Sequence, residues 1–96
     1  MADKPAPVQL QLQIDDDIAQ GAYVNMASVS HTETEFTLDL IYVQPQQPRA
    51  KVRSRVITSP KHMKRLLLAL QENVHRYEAR FGSIDLASGT NFPFVQ

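Results

Sequence analysis

The sequence predicts an α+β domain: an antiparallel β-sheet of three or four strands followed by one long C-terminal helix packed on one face. Three observations predict it. Apolar residues alternate at period two in segments between Val8 and Thr58; from Met63 to Phe81 they recur at spacings of three and four; and the two patterns meet at Ser59-Pro60, a helix start signal. Ninety-six residues, 43% hydrophobic and 21% charged, make one domain that can bury a core, though not a generous one. Residues 8–84 are expected to form it, with a flexible, proline-containing stretch at 1–7 and a flexible tail at 85–96 that ends in the apolar Phe92-Pro93-Phe94-Val95.

The first strand is expected at 8–14, where Val8, Leu10, Leu12 and Ile14 alternate with Gln9, Gln11 and Gln13. Such an edge lacks the lysines and bulges that usually blunt one, so it should be paired, within the subunit or with a neighbouring chain. Asp15 to Gly21 breaks the alternation and predicts a turn or irregular crossing. A second strand follows at about Ala22 to Ser30, then a polar hairpin loop, then a third strand at about Glu35 to Val43. In the third, Phe36, Leu38, Leu40 and Tyr42 share one face, and Thr37, Asp39 and Ile41 the other. Two prolines in Gln44 to Arg49 remove ladder donors and predict a loop. A fourth strand, about Ala50 to Thr58, leads into the helix.

Matching the inward residues of the last two strands pairs Tyr42 with Val52, Leu40 with Ser54 and Leu38 with Val56, and sets Asp39 opposite Arg55. One helix covers one face of a sheet. The second face, with Tyr23, Asn25, Thr37, Asp39, Ile41, Arg53 and Arg55, is then either wet or an interface. Tyr23, Asn25, Ile41, Arg53 and Arg55 are therefore candidate partner-binding residues.

The helix is punctuated at both ends. Ser59 suits the N-cap, Pro60 the first helical position, and Gly82 the position after the last turn. Met63, Leu66, Leu67, Leu70, Val74, Tyr77 and Phe81 step along one face. At 1.5 Å per residue about 22 residues span roughly 33 Å, more than the strands beside them, which leaves surface for a partner. Leu68 lies off this stripe and is a further candidate contact toward a second subunit.

Charge is divided by halves. Residues 1–48 carry one lysine against seven acids, a net of −6, and residues 49–96 carry nine cations against three acids, a net of +6. The halves complement each other within or between subunits, or the basic half faces an anionic partner. Lys61, Lys64 and Arg65 fall in the first two helical turns, where the dipole is positive, so they are candidate anion-binding residues. Their anion would be Asp15 to Asp17, a phosphate or an acidic protein.

Gly21-Ala22-Tyr23-Val24-Asn25, Glu35-Phe36-Thr37-Leu38-Asp39, Val52-Arg53-Ser54-Arg55, the run from Ser59 to Leu66, and Tyr77-Glu78 with Phe81-Gly82 together resemble a family of small prokaryotic proteins, domain of unknown function 3467. The resemblance covers about Ile14 to Ile84 and implies a protein type without an activity, so it transfers no site residue. Antiparallel strands followed by one long helix are also similar, in architecture only, to a reduced SecB-like chaperone fold.

Catalytic signatures are missing. No serine sits in a Gly-x-Ser-x-Gly elbow, and three glycines at 21, 82 and 89 make no phosphate-cradling loop. His31 lies in a hairpin loop, and His62 and His75 are too far apart along the helix for a zinc pair. Asp15 to Asp17 are consecutive and lack the spacing of a calcium loop. No enzyme activity, cofactor or metal is expected. The absence of cysteine, and of any membrane-length apolar run, points to the cytoplasm. The expected work is protein binding by a homo-oligomer, dimer or higher, that takes extended or unfolded protein segments. The alternative is an anion or nucleic-acid binding module on the basic strand and helix start.

Overall fold

The computed structural model describes residues 9–87. Their order is α1 (Asp16–Ala19), β1 (Met26–His31), β2 (Phe36–Gln44), β3 (Arg49–Thr58) and α2 (Pro60–Phe81). The three strands form one antiparallel sheet in the order β1-β2-β3, followed by the helix, which is the α+β arrangement the sequence predicts.

The first expected strand does not form within the chain. Gln9 to Asp15 carry no strand pairing, and Leu12 is 92% exposed. Alternation permits a strand, but a strand exists only when another supplies its ladder partners, and neither sheet edge does so here. The next segment is more regular than expected: Asp16 and Asp17 occupy the first turn of α1, at its positive end, and Gly21 at φ 76° closes the turn with its N–H on the Ile18 carbonyl.

β1 begins at Met26 rather than Ala22 and joins β2 through a turn organised by Thr32. The Thr32 N–H donates to the Glu35 carbonyl at 2.8 Å, and its hydroxyl accepts from the Thr34 and Glu35 amides. The β2–β3 register is the expected one at Leu38–Val56, Asp39–Arg55 and Leu40–Ser54. It then shifts. Ile41 pairs with Val52 and Tyr42 with Lys51, which leaves Arg53 as an extra residue in β3 and replaces the expected Tyr42–Val52 pair.

That bulge reverses the facing of the first part of β3. Val52 stands with Ile41, on the side opposite Leu38, Leu40 and Val56. Ile41 and Val43 are the buried hydrophobic residues of the described chain, 7% and 6% exposed, so Ile41 belongs to the core rather than to an open face. β2 is the central strand, paired along both edges, and on the face of Ile41 its cross-strand partners Met26 and Val52 flank it.

α2 has the predicted ends. The Ser59 hydroxyl accepts the His62 N–H at 3.2 Å, and Pro60 opens the helix. Gly82, at φ 99° and ψ 168°, takes a backbone shape that is nearly reserved to glycine while its N–H closes on the Glu78 carbonyl at 2.9 Å. No residue of α2 is buried, and the whole apolar stripe stays accessible, up to Phe81 at 65%.

Candidate functional site

The helix and the sheet face each other without closing. Between them lies an open apolar groove of about 590 Å³, floored by Val29, Phe36 and Leu38 and walled by Pro60, Met63, Leu66, Leu67 and Leu70, with the Lys64 side chain at its border. The floor follows from register: Val29 pairs with Leu38, and two positions along β2 Phe36 falls on the same face. The wall follows from helical spacing. The groove was missed in the sequence because every one of its apolar residues reads as core, and alternation alone carries no measure of how closely two faces approach.

The apolar surface continues along the second half of α2. Asn73, Val74, Tyr77 and Ile84 line a shallow depression, and Tyr77 and Phe81 set their rings 5.0 Å apart. Arg80 lies over the Phe81 ring. The Glu78 carboxylate accepts the Ile84 N–H at 2.8 Å and turns the chain back beside the helix after Gly82.

The residues singled out from the sequence do not assemble into one patch. Tyr23 is exposed, but its ring meets Tyr42 edge-on at 6.3 Å, which places it with the Leu40–Tyr42 side rather than the second face. Asn25 is a structural residue: its side chain donates to the Val43 carbonyl at 3.0 Å and accepts the Val43 N–H at 2.8 Å. Ile41 is buried and can meet no partner. Arg55 is engaged with Asp39 through two hydrogen bonds, 2.7 and 3.0 Å. Arg53, on the bulge, remains exposed beside Tyr42, Gln44, Arg49 and Lys51, which line a second concavity of about 460 Å³. Leu68 is exposed, off the groove. Lys61, Lys64 and Arg65 are exposed and form no ion pair among the described residues, so Asp15 to Asp17 of the same chain do not neutralise them.

The Asp39–Arg55 pair has a pH consequence. The hydrogen bonds from Arg55 hold the Asp39 carboxyl below its ordinary value of 3.8; desolvation opposes them and the guanidinium charge reinforces them. A carboxyl whose folded value lies below its unfolded one contributes stability that is complete above the unfolded value and is lost as pH falls through the folded one. The urea midpoint is therefore expected to decline below about pH 4, with a shallower decline in Asp39→Asn. Equal declines in the two proteins would show that the pair adds nothing.

No three His, Asp or Glu side chains come together as a metal-holding group among the described residues, and no helix among them is long and apolar enough to cross a membrane. The family model described as Protein of unknown function (DUF3467) matches residues 1–86. No curated protein and no solved structure matches, so the likeness to a SecB-like architecture gains no support.

Proposed function

The chain belongs to the family described as Protein of unknown function (DUF3467), whose description assigns no activity, and from that premise we propose that it is a non-enzymatic protein-binding module, assembled from copies of itself, that takes extended or incompletely folded protein segments. The observation that carries this reading is the open apolar groove between α2 and the sheet, continued by the uncovered stripe of the helix. Exposed apolar surface of this extent marks an interaction site in a soluble domain. An extended segment of about ten residues covers roughly 33 Å, the length of α2. Cysteine-free composition fits work in a reducing, cytoplasmic setting.

The test is binding of a fluorescently labelled, fully carboxymethylated polypeptide that cannot fold, followed by anisotropy. Binding is expected to change little between 50 and 200 mM salt and to weaken about tenfold in Leu67→Asp, a loss of roughly 1.4 kcal/mol. Leu67 is half exposed, so the substitution leaves the fold in place. No binding of the unfolded chain would overturn the proposal. The alternative, an anion or nucleic-acid module, is favoured by Arg49, Lys51 and Arg53 along β3 and by Lys61, Lys64 and Arg65 at the start of α2, none of them ion-paired among the described residues. Its mark would be a 10³-fold or greater loss of oligonucleotide binding over the same salt range, the order expected for about six phosphate contacts.

A further inference from the structure

Two unsatisfied halves of one structure lie on this chain. β3 ends the sheet with an open edge ten residues long, exposed from Arg49 to Ile57. Gln9 to Ile14 are strand-patterned yet unpaired, with Leu10 and Ile14 exposed like Leu12. We infer that Gln9 to Ile14 of one copy add to the β3 edge of a second copy as a fourth, antiparallel strand, and that reciprocal exchange closes a two-fold dimer. The inference rests on the interaction-module reading and names one partner, the chain itself.

Three features select this occupant and this edge. Length fits, since six extended residues span about 20 Å and ten span about 33 Å. Faces fit as well. Leu10, Leu12 and Ile14 would continue the groove floor beyond Val56, while Gln9, Gln11 and Gln13 would fall on the side of Asp39 and Arg55, beside their ion pair. Charge fits: an antiparallel strand brings Asp15 to Asp17 toward Arg49 and Lys51, where the acidic half of one copy meets the basic half of the other. The opposite edge, β1, has the sequence Met-Ala-Ser-Val-Ser-His and offers no such cations.

The experiment combines light scattering with hydrogen exchange on the full chain and on Gln11→Pro/Leu12→Pro. Adjacent strand residues alternate in which side their N–H points, so one of the two prolines deletes a ladder donor whatever the register. Both positions are exposed and outside any helix or strand, and the sheet of the variant should be unchanged. The expected result is a species of twice the 10.9 kDa chain mass, with Gln9 to Ile14 amides protected at least about tenfold. In the variant both the protection and the dimer should be lost. A monomer with protected amides would place the segment on its own sheet and overturn the inference. So would a dimer that keeps its mass in the variant, because apolar faces alone would then hold it. A dimer that behaves as expected but binds no unfolded polypeptide would overturn the function proposed above and leave the strand exchange standing.

Discussion

Ile41→Ala is expected to destabilise the protein by at least about 2 kcal/mol, the low end for an isoleucine truncated in a core, which for a domain of this length lowers the thermal midpoint by roughly 8 to 16 °C. Large-to-small substitutions cost the lost transfer free energy plus a cavity term, and both are greatest where the side chain is most enclosed. Ile41, on the central strand, 7% exposed and flanked by Met26 of β1 and Val52 of β3, is one of two hydrophobic residues so enclosed among the described residues. Stability concentrated in so few positions makes each of them matter. A fall in midpoint no greater than that of an ordinary surface substitution, within about 0.5 kcal/mol, would show that the core lies elsewhere.

Asn25→Ala is the second large effect. The Asn25 side chain reproduces a rung of ladder, giving and accepting one hydrogen bond with the Val43 backbone, while its own N–H donates to the Ile41 carbonyl at 3.0 Å. It thus extends the sheet one position beyond β1 and closes it over Val43, itself 6% exposed. Alanine leaves a buried N–H and a buried carbonyl without their side-chain partners, which costs about 1–3 kcal/mol. A lower urea midpoint and faster exchange of the Val43 amide are expected together. Asn25→Asp keeps the acceptor but sets a carboxylate oxygen against the Val43 carbonyl, so it should be no milder than alanine; an Asn25→Ala protein with a fully protected Val43 amide would show that water or backbone adjustment replaces the side chain.

The parts of this fold that were legible in the sequence are those fixed by local chemistry. Ser59, Pro60 and Gly82 mark the ends of α2 because capping and backbone shape depend on a few adjacent residues, and the ends fall where those residues put them. The strand pairs around Leu38, Asp39 and Leu40 were legible because one buried face fixes parity. What was not legible depends on neighbours. Nothing in Lys51-Val52-Arg53-Ser54 distinguishes a bulged strand from a regular one, yet the bulge at Arg53 decides which side Val52 serves. Alternation put Ile41 on an open face because it says nothing of β2 being central. Asn25 reads as an ordinary polar residue until Val43, 18 positions later, comes beside it. For the candidate site, the apolar residues were all visible, but the gap between α2 and the sheet is a distance, and no one-dimensional pattern contains it.

The strand order, which repeats the chain order, has a consequence for how the molecule forms. Each strand pairs only with the one before or after it, through turns at Thr32 to Glu35 and Gln44 to Arg49 that close loops of a few residues. Loop-closure entropy is therefore small at every step, and the meander can assemble hairpin by hairpin at the fast end of the range for mixed α/β domains. β3 and α2 leave the ribosome after β1 and β2, so the sheet's open edge and the helix stripe come into existence after the first hairpin. Elongation, rather than search through distant pairings, sets the order in which this chain becomes sticky.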